Sequence, residues 1–279
     1  EIASCLVGSE MCIRDSPWTP QGFPLNLHDI PKLTNNIDNK PMKCLHIITP
    51  VKDSIDSTLE TVKAIMESDI LVPFTYTVYN DFSTEENTHR LEEAARQWNF
   101  RLVNLSDLTD HPSPNYLLVL QTAQKEAIEA DAGLLIVESD VIVKKNTLQS
   151  LYNGALQQKQ CGIAAAVTTD EKGIINYPYL HAKGHENQVY PEKKHCSFCC
   201  SLLTPRLLKA FDFQTLDPSK NWYDVTISHE SLKRGFQNYL FTTLPVWHRP
   251  HSSRPWKQLK YKNPLKYYWL KYTKGLDKI

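Results

Sequence analysis

Residues 134–143, LLIVESDVIV, decide how the chain is read. An apolar run of this kind is a strand buried on both faces, as a parallel sheet requires. Glu138, Ser139 and Asp140 interrupt it. Two carboxylates inside a buried strand are costly unless a cation meets them. Either the strand ends at Val137 and presents the acids at its carboxyl edge, or they form a solvated turn paired with Lys144 or Lys145.

Working outward, strand and helix patterns alternate. Residues 43–49 (KCLHIIT) read as an apolar strand closed by Pro50. Residues 54–68 carry Ile55, Leu59, Val62, Ile65 and Met66 at helical spacing, and Ser57-Thr58-Leu59-Glu60 has capping-box form. Residues 74–79 (FTYTVY) predict a second strand, 80–84 a turn, 85–98 a charged helix and 101–105 a third strand. Residues 116–130 predict a helix, leading into the strand at 134–137. This alternation predicts an α/β layer fold with parallel strands. Ligands of such sheets gather at the carboxyl ends of the strands. Polar residues stand at three such ends: Thr49 to Asp53, Asn80 to Ser83, and Glu138 to Asp140. Their convergence is the main sequence signal for a site.

The second half is less regular. Residues 146–159 predict a helix, 162–167 a small-residue strand, and 173–194 a loop over a site. Residues 196–203 read as strand, 205–211 as a short helix begun by Pro, and 223–234 as a helix ending at Gly235. Residues 239–243 read as a strand, with His248 beyond it.

The 279 residues suffice for one large domain with a sizeable core, and 41% apolar with 22% charged is ordinary for a globular protein. Formal net charge is zero, yet beyond His248 nine Lys and Arg face the single acid Asp277. Seven cysteines, an odd number and unevenly spaced, favour free thiols and a cytoplasmic, reducing setting. Residues 1–16 resemble translated linker sequence and are set aside; residues 1–41 read as a disordered or artefactual lead-in, with Met42 a candidate start. The remainder divides into a domain at 42–253 and a basic, aromatic helix or tail at 254–279. That tail reads either as a solvated helix packing its aromatics inward or as a membrane-surface segment. No motif supports nucleic acid.

Hard divalent cations want oxygen ligands, and Mg²⁺ often joins a carboxylate to substrate phosphates, which suits Glu138 and Asp140. Asp224 opens a helix behind Trp222 and Tyr223, so it is either a dipole-favoured carboxylate or a general base beside a sugar site. His248 is a candidate further ligand. His195, Cys196, Cys199 and Cys200 lack a second CxxC, and their apolar context favours buried thiols over structural zinc.

The order of these features resembles a family 2 glycosyltransferase of GT-A fold over about residues 42–253. HIITPVKDS resembles that family's opening strand and Pro turn, VYNDFST its Asp-Asp-x-Ser motif, and LLIVESDVIV its Asp-x-Asp strand. CSFCCSLLTPRLLKAFDF, WYDVTISHESLKRGF and VWHRPHSS resemble its acceptor-side strand and helix, its Glu-Asp helix and its following His strand. The resemblance implies a single GT-A domain, with a mixed, mostly parallel sheet between helices. It implies sugar transfer from a nucleotide-sugar donor to a glycan or lipid-linked acceptor, with inversion. By it, Thr49, Pro50, Asp53 and Asp81 line the nucleoside pocket, with Glu138 and Ser139 beside the donor. Asp140 and His248 hold Mg²⁺ or Mn²⁺, and Asp224 deprotonates the acceptor. Asn80 stands where the family has the first acid of Asp-Asp, Glu138 replaces the first acid of Asp-x-Asp, and Tyr223 stands where Glu often precedes the base. Location at the inner face of a membrane, through the tail, is part of the same expectation. Two rivals are a nucleotidyltransferase acting on a sugar phosphate, against which the Gly-free segment 49–54 counts, and a non-catalytic sugar-nucleotide or glycan binder.

Overall fold

The computed structural model describes residues 42–220, 222–249, 259 and 263–274. The expectation for 1–41 lies outside them, as does most of 254–279.

Strand β1 (Leu45–Val51) is the centre of the parallel half. It pairs in parallel with β2 (Phe74–Asn80) and β4 (Gly133–Val137), and β2 with β3 (Arg101–Asn104). The connecting helices are α1 (Ile55–Met66), α2 (Glu85–Trp98) and α3 (Tyr116–Glu129). The chain then forms β5 (Val141–Ile142), α4 (Thr147–Gln157), β6 (Cys161–Thr169), β7 (Val189–Pro191), β8 (Cys200–Leu203), α5 (Pro205–Ala210), α6 (Tyr223–Lys233) and β9 (Gln237–His248). The strand order is β3-β2-β1-β4-β8-β6-β9-β5, with β7 on β9. Strand β8 runs antiparallel between β4 and β6, so the mostly parallel sheet is mixed.

Alternation along buried strands builds two cores. Ile47, Leu135, Val137 and Ala164 face one side with Val62 of α1, Leu91 of α2 and Leu148 of α4. Ile48, Leu134, Ile136 and Ala165 face the other with Leu120 of α3, Leu207 of α5 and Ile227 of α6. Each such Leu or Ile contributes about 1.5–3 kcal/mol on full burial. The result is a sheet between two helical layers, as the alternating pattern predicts.

Several boundaries differ from expectation. Strand β1 runs through Pro50 to Val51, because β4 pairs with it only as far as Ile48. Pro50 thus sits where β1 has β2 alone as neighbour, a place that tolerates a missing N–H. Ser57 does not cap α1: it lies inside the helix, its hydroxyl donating to the Ser54 carbonyl at 3.0 Å. The N-cap is Ser54, in left-handed conformation. Within 196–203 only Cys200–Leu203 is strand. The loop at 173–194 contains the 3₁₀ turn Leu180–Ala182 and strand β7. Strand β9 extends to His248 through a bulge: Ala166 pairs with Phe241 but Val167 with Pro245, leaving Thr242 to Leu244 out of register.

Candidate functional site

Strand registers assemble the acid cluster. Val137 of β4 pairs with Cys200 of β8, so Glu138 lies beside Cys199, and its N–H donates to the Cys199 carbonyl at 3.0 Å. Val141 of β5 pairs with His248 of β9, and the Arg249 N–H donates to the Asp140 carbonyl at 2.9 Å. Strand β4 therefore ends at Val137, and the acids turn at the sheet's edge instead of interrupting it.

Asp140, Ser139 and His248 are buried. The His248 Nδ1 lies 3.0 Å from the Tyr177 carbonyl, which can only accept, so Nδ1 carries a proton and Nε2 is turned toward the acids. That Nε2 lies 3.6 Å from Asp140 Oδ2 and 4.0 Å from Cys199 Sγ. The Cys199 thiol donates to Glu138 Oε2 at 3.2 Å. Burial first, and the Asp140 charge next, push the Glu138 carboxyl up to about 7, against the pull of His248 and Cys199. A ring fixed through Nδ1 by a backbone carbonyl is the usual second shell of a ligating histidine. The donor set, two carboxylates and an imidazole, fits a divalent cation.

Asp224 stands in the first turn of α6, its Oδ1 accepting from the Val225 N–H at 2.9 Å. Its charge is felt at Glu138 and at Tyr116, so it belongs to the same region. Burial, then Glu138 and Asp224, raise the Tyr116 hydroxyl well above its ordinary range. That hydroxyl is buried and makes no hydrogen bond to the described residues. The Tyr116 and Tyr223 rings are 6.4 Å apart and help line a cavity of about 370 Å³ with His111, Asn115, Gln121 and Lys220.

The other two strand ends are tied together more than they are open. Asp53 Oδ1 accepts from the Thr84 N–H at 2.9 Å and from Asn87 Nδ2 at 3.2 Å. The Thr84 bond, ahead of Asn87 and Lys52, lowers its carboxyl. Asp53, Ser54 and Phe82 all hold positive φ, a cost of order 1 kcal/mol or more each that the facing turns sustain. Asp81 accepts from Ser113 Oγ at 2.7 Å, the Asn115 N–H at 2.9 Å and Asn115 Nδ2 at 2.8 Å, and so clamps the start of α3. Asn80 Nδ2 donates to Thr88 and Asn104. Thr49 points into the core, its hydroxyl accepting from Tyr76 at 3.0 Å, while Pro50 is half-buried at the rim.

The cluster thus unites Glu138, Asp140 and His248, with Asp224 near enough for its charge to act on Glu138. Cys199, Tyr116 and Tyr177 join them without a local sequence signal. Cys199 stands in the CxxC that lacked a second pair, and its partners come from β4 and β9 instead. Cys196 turns elsewhere, its Sγ 3.9 Å from the Tyr239 carbonyl.

No protein-family model and no curated protein matches the sequence. Solved structures match by fold. TarS residues 1–349 of S. aureus has a TM-score of 0.54 at 16% identity, over 73% of this chain and 60% of that one. The mannosyltransferase PcManGT of Pyrobaculum calidifontis, in complex with GDP-Man and Mn²⁺, has 0.57 at 13%, over 83% and 65%. GalNAc-T7 with UDP, GalNAc and Mn²⁺ has 0.56 at 11%, over 77% and 45%. The chain therefore shares the GT-A fold of nucleotide-sugar glycosyltransferases, and spans under two thirds of the length of each.

Proposed function

We propose that the protein is a metal-dependent, inverting glycosyltransferase of the family 2 type. It moves a sugar from a nucleotide-sugar donor to a hydroxyl of a glycan or lipid-linked acceptor. The observation that carries this is the meeting of Glu138, Asp140 and His248 at the carboxyl edge of the sheet, with the Asp224 charge felt both at Glu138 and at Tyr116 of the aromatic-lined cavity. Asp140 and His248, with Glu138 at hand, would hold Mg²⁺ or Mn²⁺. A bound ion of this kind offsets charge on the departing diphosphate.

The chain's own residues do the rest. Asp81 holds Asn115, and with it Tyr116, at the cavity wall. Asp224 takes the acceptor's proton as its oxygen attacks the anomeric carbon, and displacement from the opposite face inverts that centre. Asp53 and Pro50 frame the nucleoside side, by the resemblance to the family motif, while Thr49, turned into the core, supports them from behind. The PcManGT and GalNAc-T7 structures hold Mn²⁺ and nucleotide or nucleotide-sugar, which supports this donor class.

Turnover of nucleotide-sugar donors with Mn²⁺ tests the reading. Asp140→Asn and Asp224→Asn should each lower the rate about 10²–10⁴-fold, the scale of a lost acid–base or charge-stabilising group. Unchanged rates in both variants would sink the site assignment.

A further inference from the structure

Cys199 is a soft ligand in a site otherwise built for a hard ion. Its Sγ is 3.2 Å from Glu138 Oε2 and 4.0 Å from His248 Nε2, and that Nε2 is 3.6 Å from Asp140 Oδ2. One ligand atom from each of Glu138, Cys199 and His248 falls within 4.8 Å of the other two. Bond lengths of about 2.0–2.3 Å around a tetrahedral Zn²⁺ place neighbouring ligand atoms roughly 3.3–3.6 Å apart. The observed separations bracket that value, so small side-chain adjustments bring the atoms onto one ion.

The surroundings suit coordination. Cys199 and His248 are 3% and 7% exposed, while Glu138 is half-buried and leaves an approach for the ion. Tyr177 fixes the imidazole through Nδ1, and Ser197 Oγ donates to Cys199 Sγ at 3.3 Å, a bond that strengthens on a thiolate. Thiolate ligands select Zn²⁺ over Mg²⁺ or Mn²⁺, and the general affinity order for divalent ions points the same way.

We propose that Glu138, Cys199 and His248, with Asp140 beside the His248 ring, form a mixed oxygen, nitrogen and sulfur site that takes a borderline-soft divalent cation, of the Zn²⁺ class, in preference to Mg²⁺ or Mn²⁺. On binding, the Cys199 S–H bond breaks, a sulfur–metal bond forms, and one proton leaves through the Glu138 carboxylate to solvent. The inference rests on the metal part of the proposed function and changes the ion that the site prefers.

Its test needs no sugar donor. Full-length protein is titrated with Co²⁺ under reducing, oxygen-free conditions and read for the near-ultraviolet thiolate-to-cobalt charge-transfer band. The band should appear in wild type and in Cys44→Ser, vanish in Cys199→Ser, and be displaced by Zn²⁺ at concentrations at least about tenfold below the Mn²⁺ needed. No band in the wild type overturns the proposal, and so does a band that persists in Cys199→Ser. The wild-type result stands even if that variant folds poorly. Loss of transfer activity with an intact band counts against the glycosyltransferase reading alone.

Discussion

At the scale of single residues, what the site does not use is as informative as what it does. His46 lies at the other end of β1 from the acids, 5% exposed. Its Nδ1 is 2.8 Å from Thr75 Oγ1, and its Nε2 faces Glu126 Oε2 at 3.2 Å, off the hydrogen-bonding direction. Arg101 also binds Glu126, so that carboxylate is already shared. Burial is the largest influence and lowers the His46 pKa; Glu126 opposes it and Arg101 adds to it. A neutral ring offers one donor and one acceptor, which suits a carboxylate on one side and a hydroxyl on the other. The sign follows. Below the unfolded value of about 6.5 the unfolded chain binds a proton that the folded chain resists, so stability falls as pH drops through that window toward the lower folded value. His46→Gln stays neutral throughout. Urea midpoints measured at pH 7.5 and pH 5 should therefore fall more on acidification in wild type than in the variant. Equal falls would mean that another group sets the acid limit.

At the scale of elements, the site depends on where β9 puts His248, and β9 is positioned by its packing against α4. An ideal Cβ on Gly154 would lie 2.3 Å from Phe241 Cε1 and 2.7 Å from Cζ. Phe241 is buried and is the last β9 residue in register before the bulge. Gly154→Ala should gain about 1 kcal/mol of helix propensity, yet overpacking of this kind costs about 1–3 kcal/mol. The clash should win, lowering the denaturant midpoint, and Phe241→Leu in the same chain should recover part of the loss; additive effects would show that the two do not touch. This packing explains what was legible beforehand. Strands β1, β2, β4 and β6 and helices α1 to α3 are visible in the sequence because their patterns follow from burial against a sheet. The bulge in β9 was not, since nothing local marks Thr242 to Leu244 as the residues that leave the ladder. The capping box at Ser57 misled for a related reason: Asp53 is held by Thr84 across the turn, and that long-range bond sets where α1 begins. The acids of 138–140 were legible as a strand end, whereas Cys199 reaches them through a pairing that no short-range pattern encodes.

At the scale of the whole molecule, the feature that the site leaves unexplained is the helix Pro264–Thr273. No helix among the described residues is long and apolar enough to cross a membrane. This one instead exposes Leu265, Tyr268, Trp269 and Tyr272, at 85%, 47%, 61% and 79%. Their spacing of three, four and seven residues from Leu265 makes one stripe, while Tyr267 is buried on the opposite side. Lys266, Lys271 and Lys274 accompany the stripe, and the Lys271 ammonium lies 5.7 Å from the Trp222 ring centre, just ahead of the helix that carries Asp224. Aromatics amid lysines are the pattern of a helix lying in the headgroup plane. Placed here, it would bring the acceptor side of the site to an anionic bilayer, where a lipid-linked sugar is found. Sedimentation with vesicles should show binding to phosphatidylglycerol but much less to phosphatidylcholine, and binding should weaken as salt screens the lysines. Each large apolar side chain is worth about 1.5–3 kcal/mol on burial, so Trp269→Ser with Tyr272→Ser should weaken the association at least about tenfold. Binding that ignores lipid charge would remove the lysines from the account. Absence of binding, together with a concentration-dependent dimer that the same double variant abolishes, would make the stripe a contact between copies of the chain and overturn the membrane assignment.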